Sequence, residues 1–376
     1  MKSKYKLGDI ISLVDKRNTN MECTNLKGLS MTKEFRPSTS NIVGTDLSKY
    51  KIVEHNQFAV DFMSAIRVHK MPIALNRSEE KILISPAYAV FEVKDESVIL
   101  TDYLMMWFLR SEFDRYADFR SDAAIRGGYG WNELCDTDIE IPSLEEQKEK
   151  VFQYKTITDR IALKQRINEN LTEQLHKYLL NFIEQDSTKK IGKLKDYSTM
   201  QYGYTETALS EDTGTNFLRI TDIAQSHIDW NSVPFCKISD SDLKKYHLSN
   251  GDVVVARTGA TVGVAKMIGN NIPNSVFASF LVRIRPIDDI YKYYFGLLIT
   301  SKIFLEYVRN NAGGSAQPQA NPPLLGEFEL IIPDKSRMSI FNDNVSVFLK
   351  SIEVNEFEIS KLNDISKTLI TMISSC

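Results

Sequence analysis

Asn321-Pro322-Pro323-Leu324 is the stretch of this chain that comes nearest to a catalytic motif. An amide, two prolines and an aromatic residue can hold an exocyclic amine and stack a flipped base for transfer chemistry. Here Leu324 stands where the aromatic is needed, and no Gly-x-Gly turn after a strand precedes it to hold a cofactor. A proline-stiffened loop is expected instead. Gly259-Ala260-Thr261-Val262-Gly263-Val264-Ala265-Lys266 has the glycines of a phosphate loop without its Gly-Lys-Ser/Thr ending, so nucleotide chemistry is not expected. A turn between strands is the plainer reading. As a contact loop it would offer Arg257, Thr258, Thr261 and backbone N–H groups to a phosphate or a base edge. His55, His69, His176, His227 and His247 are scattered, and Glu146-x-Lys148 has no upstream Pro-Asp to complete a metal nuclease core. Cys23, Cys135, Cys236 and Cys376 form no Cys-x-x-Cys pair, which argues against zinc and for a reducing cytoplasm. No catalytic residue, metal site or cofactor is expected.

Polar and aromatic residues beside glycines carry a different chemistry. Gln317-Pro318-Gln319-Ala320-Asn321 follows Gly313-Gly314 and presents amides, which pair bidentately with adenine in the major groove. Arg126-Gly127-Gly128-Tyr129 combines a side chain able to read guanine with glycines that let backbone approach DNA closely. Tyr202, Tyr204 and Thr205 form a third such stretch. Each is also compatible with an ordinary solvated loop.

The elements that must position these stretches occur twice. Asp9 answers Asp196, and Tyr50 in Leu47-Ser48-Lys49-Tyr50 answers Tyr246 in Leu243-Lys244-Lys245-Tyr246. The run 85–91 answers 277–283, and Asp138-Ile139-Glu140-Ile141-Pro142 answers Glu329-Leu330-Ile331-Ile332-Pro333. The offsets keep register order and stay between 187 and 196, as a duplication with loop changes requires. Each half predicts short strands such as Val253–Ala256, one helix (102–117 or 291–309), the glycine-rich stretch and a last strand ending at Pro142 or Pro333. The chain then loses Gly and gains Glu, Lys, Gln and Leu. In 143–187 the residues Ile157, Ile161, Ile167, Leu171, Leu175, Tyr178 and Phe182 recur mostly every three or four positions. In 334–376 the seam runs Phe341, Val345, Phe348, Ile352, Asn355, Ile359, Leu362. Asn355 reads either as a register-setting polar residue or as an exposed fraying point. Four segments follow: 1–142 and 188–333 as globular domains, 143–187 and 334–376 as helices that bury their stripes against each other. The fold class expected is α/β (α+β) in tandem duplicate, with long antiparallel coiled-coil helices around a pseudo-twofold axis.

A chain of 376 residues is long enough for two domains, and 43% hydrophobic with 25% charged residues is a globular balance. No apolar run approaches a bilayer span, and no h-region follows the basic Met1–Lys6 start. The net charge of −3 does not advertise phosphate coating, so any basic surface must be concentrated on one face or supplied by partners.

Taken together these residues resemble the specificity subunits of type I restriction–modification enzymes, over essentially the whole chain. The resemblance rests on the domain–helix–domain–helix order and on Ile141-Pro142-Ser143-Leu144-Glu145-Glu146-Gln147, Gln201-Tyr202-Gly203-Tyr204-Thr205, Phe217-Leu218-Arg219-Ile220-Thr221-Asp222-Ile223 and the run from Gly251 to Gly263. The second join, Pro333-Asp334-Lys335-Ser336-Arg337, departs by lacking the Glu-Gln pair. The resemblance implies a cytoplasmic, non-catalytic subunit whose two domains each read one part of a split double-stranded DNA target. Its helices would scaffold two methyltransferase subunits and, through them, restriction/translocase subunits. A segment the length of 143–187 spans roughly 65 Å as a helix, so the helices are expected to act as a ruler. Expected DNA contacts are Arg67, Arg126, Gly128, Tyr129, Tyr202, Tyr204, Thr205, Arg219, Arg257, Thr258, Thr261, Gln317, Gln319 and Asn321. Expected partner contacts are Leu144, Ile157, Ile161, Leu171, Leu175, Phe348, Ile352 and Ile359. A related type II methylase–nuclease recognition subunit, a solitary methyltransferase and a coiled-coil adaptor without DNA binding are the competing readings.

Overall fold

The computed structural model describes residues 3–38, 44–64, 69–123, 129–187, 190–225, 227–313 and 319–374. They form two compact units, residues 1–160 with 362–376 and residues 161–361. Each unit contains the same four-stranded antiparallel sheet. In the first the strand order is Ile11–Val14, Ala89–Val93, Phe58–Val60, Ile73–Leu75; in the second it is Ser198–Tyr202, Leu281–Pro286, Val253–Ala256, Ala265–Met267.

The duplication extends to register. Phe58 lies opposite Phe91, and Val253 lies opposite Ile284. Leu83 pairs antiparallel with Ile52 and parallel with Leu26, and Val276 pairs antiparallel with His247 and parallel with Phe217. A two-stranded clasp closes each copy, Ser3–Lys6 on Asp138–Ile141 and Ile191–Lys193 on Glu329–Ile331. Because a one-residue slip would turn every buried side chain outward, this match reports one folding solution used twice. One difference from expectation is shared by both copies. The single helix foreseen in each half is two, Thr101–Phe108 with Ser111–Ala123 and Lys292–Ile299 with Lys302–Asn311. In the second copy the break has a visible cause: Ser301 accepts from the Phe304 N–H and starts a new helix.

Sheet alternation sorts the side chains. Val253 and Val255 enter a core shared with the long helices, while Val254 and Ala256 enter a second core on the other face. In the first unit Phe58 stacks on Phe91 at 4.8 Å, and Phe108 meets both edge-on.

The two long helices are Leu144–Glu184 and Lys335–Ser374. In the second unit they run antiparallel. Phe341 packs on Tyr178 and Phe182 (ring centroids 5.6 and 4.7 Å), while Lys164 donates to Asn355 Oδ1 (2.9 Å) and Asn355 donates to Asn168 Oδ1 (2.8 Å). Asn355 therefore belongs to a hydrogen-bonded polar layer and is no fraying point. In the first unit, Ile370 and Ile373 join the core against Val151 and Tyr154. The seam itself is displaced from the expected line. It passes through Phe341, Val345, Leu349 and Ile352, and Phe348 is 40% exposed.

The two joins differ as their sequences do. In both, the residue before the helix caps it: Ser143 Oγ accepts from Glu146 N (3.3 Å) and Asp334 Oδ1 from Arg337 N (3.0 Å). The fully buried Gln147 then accepts from Leu100 N (2.9 Å) and donates to Val98 O and Pro142 O (both 3.0 Å). The equivalent position holds Met338, also fully buried, in an apolar site. Neighbouring Arg337 donates instead to Phe182 O and Gln185 O, covering the end of the first long helix. Gln147→Met, which installs the other copy's residue, is expected to cost about 1–3 kcal/mol because it leaves the buried Pro142 carbonyl and the half-buried Leu100 N–H and Val98 carbonyl without their partner. Urea unfolding of the variant checks this.

Candidate nucleic-acid interface

Four loops of the second unit converge at one end of its sheet. Strand Ser198–Tyr202 ends at Tyr202, and Gly203 follows because nothing larger fits: a Cβ there would lie 2.1 Å from the Ala278 carbonyl oxygen. Gly203 N then donates to Leu281 O and Tyr204 N to Phe277 O. Strand Val253–Ala256 delivers Arg257, whose N–H donates to Phe280 O (3.0 Å) and whose carbonyl accepts from Ala320 N (2.9 Å). Thr258 bridges to Gln319, and Gly259, at φ +75°, opens one short turn through Thr261.

At this junction the Arg257 guanidinium lies 4.6 Å over the Tyr202 ring and donates to Ser279 O at 3.3 Å. Tyr202 is 41% exposed and Phe280 57%. A guanidinium carries five N–H donors in a fixed fork, and the bond to Ser279 uses one of them. Stacked on the tyrosine, the plane is held without being neutralised by a carboxylate among the described residues. That suits it to bidentate contact with guanine or phosphate. Phe280 offers an apolar face, and the exposed Gln319 an amide.

Several expected contacts are employed elsewhere. Tyr129 is buried, with its hydroxyl 3.0 Å from Thr137 Oγ1, and burial pushes its phenol above the ordinary range; it is a core residue. Asn321 caps the short helix Pro322–Gly326 by accepting from Leu324 N, so the Asn-Pro-Pro stretch is a helix start. Arg219 grips Asp222 through Nε and Nη2 (3.1 and 2.9 Å), which neutralises it. Tyr204 is half-buried against the Tyr246 ring. Thr205 is exposed, and Thr258 and Thr261 are half-buried at the junction. Arg67, Arg126, Gly128 and Gln317 lie outside the described residues.

Among the expected partner contacts, Leu175 and Ile359 are corrected: at 2% and 1% exposure both are packed inside the second unit. Leu144, Ile157, Ile161, Leu171 and Ile352 are half-buried. Sequence reasoning missed the outward line Ile340, Val347, Val354 on the second long helix, exposed by 62, 65 and 56% and spaced by seven. It also missed Phe280, for which the register of the first copy offers no aromatic counterpart, only Ala87.

A duplicated sheet unit, each copy delivering its chain into one of two paired long helices, defines the molecule as a tandem duplicate by architecture. The chain is similar in structure to the S subunit of the type I restriction–modification system from M. genitalium, with TM-score 0.51 and 11% identity, covering 99% of this chain and 96% of that one. The HsdS subunit from Thermoanaerobacter tengcongensis also matches over 99% of this chain and 96% of its own, at TM-score 0.37 and 12% identity. At these identities the likeness is one of fold, and the fold is that of a type I specificity subunit. No family model and no curated protein matches the sequence. Among the described residues no group of His, Cys, Asp and Glu could hold a metal ion, and no helix is long and apolar enough to cross a membrane.

Proposed function

We propose that this chain is the DNA sequence-specificity subunit of a type I restriction–modification complex. Each recognition domain, 1–142 and 188–333, reads one part of a split target. The helices 143–187 and 334–376 carry two methyltransferase subunits and, through them, restriction/translocase subunits. The chemistry then belongs to those partners. The observation that carries the reading is the register-for-register duplication of the sheet unit on paired helices, over almost the full length of an S-subunit fold. Two features support the division of labour. The Tyr202–Arg257–Phe280 junction is exposed and combines a cation with aromatic faces. The line Ile340, Val347, Val354 leaves an apolar stripe uncovered on the second long helix, at the spacing one further helix would match.

Co-expression with an adenine methyltransferase subunit from the same restriction system tests it. The expected result is a stable complex that methylates adenines within one split motif, and loss of that motif from the genome when the gene for this chain is deleted. A methylation pattern indifferent to the deletion would refute the proposal.

A further inference from the structure

Within the second unit, the outer core of Leu218, Ile223, Val254, Ile268 and Phe277 includes, among the described residues, no side chain from either long helix. Where this outer part meets the second long helix, apolar packing is incomplete. A cavity of about 460 Å³ lies there, lined among others by Trp230, Lys266, Met267, Leu349 and Glu356. What crosses the gap is polar. Glu353 Oε1 accepts from the backbone N–H of both Asn270 (2.9 Å) and Asn271 (2.8 Å), and Oε2 accepts from Asn270 Nδ2 (3.3 Å). Asn270 Oδ1 in turn accepts from Asn250 Nδ2 (2.6 Å), tying in the turn that leads to strand Val253–Ala256 and Arg257. Seven residues along, Ser360 Oγ accepts from Asn231 Nδ2 (3.0 Å).

Between these two ties, Glu356 and Lys266 are close enough to stabilise each other's charge. Burial nevertheless raises the Glu356 carboxyl to about 7 and lowers the Lys266 ammonium. A pair whose desolvation outweighs its attraction aligns weakly. Charge-assisted bonds to two successive backbone N–H groups, by contrast, fix direction as well as distance.

We infer that Glu353, assisted by Ser360, is a positioning residue: it seats the reading loops of the second unit on the long helix and so sets which gap between the two parts of the target is accepted. The inference rests on the proposed function. The seat acts as the pivot of a lever. The reading junction at Arg257 follows directly from the strand that the Asn250–Asn270 tie anchors, so a tilt at the seat displaces it. A displacement of about 3.4 Å is one base pair of duplex. Loose seating should therefore blur gap length while leaving the base contacts themselves intact.

The test uses the full chain in complex with its methyltransferase subunits. Methylation is measured on the target with its natural gap and with gaps one base pair shorter and longer, and amide hydrogen exchange is followed at Asn270 and Asn271. For Glu353→Ala the preference for the natural gap should fall about tenfold, the scale of a lost hydrogen bond to a charged group, and both amides should lose protection. Glu353→Gln keeps an oxygen for the two backbone donors and should restore both readouts. Deprotected amides with an unchanged gap preference would overturn the inference, as would amides that stay protected without the carboxylate. If Glu353→Ala does not fold, Ser360→Ala removes the second tie alone, and an unchanged gap preference in that variant overturns it equally. If the unmodified complex methylates no split target, the functional reading fails, and the exchange data still report separately whether the seat exists.

Discussion

Phe341→Ala should destabilise the second unit by about 3–5 kcal/mol, the range for deleting a fully buried aromatic side chain, while Phe348→Ala should cost well under about 1 kcal/mol. The two phenylalanines lie on one helix, seven residues apart, and a heptad drawn on the sequence puts both in the seam. In the structure only Phe341 is there. It is fully buried and touches the rings of Tyr178, Phe182 and Tyr294, so one truncation removes aromatic contacts to the other long helix and to the sheet unit together. Phe348 is 40% exposed, and Leu349 takes its place against the core. Chemical denaturation of the two variants separates them. Equal losses would mean that the seam runs through Phe348 after all. Under the proposed function, Phe348→Ala should show its effect in binding to methyltransferase subunits, where an exposed aromatic on an apolar helix face is available to a partner.

What was legible in the chain was whatever local periodicity and repetition encode. The duplication could be read because matched residues such as Asp9 and Asp196 keep their order. The structure places these two at the same position of equivalent short helices, Leu7–Ile10 and Leu194–Tyr197, while the strand register shifts the partner of the run 85–91 by one residue, to 278–284. The long helices could be read because apolar spacing of three and four persists for forty residues without Gly or Pro. The phase of that spacing was less secure. Phe341, Val345 and Leu349 follow one another every four residues, so the buried stripe runs as an i, i+4, i+8 row that passes Phe348 by, a choice that the alternation of three and four leaves open. The reading junction was half legible. Tyr202, Arg257 and Gln319 stand out by type, but nothing local brings residues so far apart in sequence to one place, or spares Phe280 from burial. Tyr129 and Asn321 misled for the opposite reason. A tyrosine beside glycines and an asparagine in a polar loop look available until nearby partners claim them: Thr137 takes the tyrosine hydroxyl and the Leu324 N–H, in a helix cap, takes the asparagine oxygen.

Under the proposed function, exchanging residues 188–333 for the corresponding domain of a type I specificity subunit should replace one part of the methylated motif completely and leave the other part unchanged. The physical basis is that the second sheet unit closes on itself. Its clasp of Ile191–Lys193 on Glu329–Ile331 brings both ends of the segment together, so a graft that matches these ends and the apolar face packed on Leu175, Phe182 and Phe341 need not disturb either long helix. Two contacts across the graft boundary must be kept or matched. Asn342 Nδ2 donates to Ile290 O (2.8 Å), and Glu353 receives the backbone of Asn270 and Asn271. A narrower change, Arg257→Ala, should act on the same part of the motif without replacing it. Losing one guanidinium contact to a base costs about 1–3 kcal/mol of discrimination, so methylation should relax at one position of that part by roughly ten- to a hundredfold. Phosphate contact predicts something different: uniform weakening across sequences and a shallower salt dependence. Sequencing the modified bases in cells carrying each variant distinguishes these outcomes. If the exchange altered both parts of the motif or neither, independent reading by the two units would be wrong.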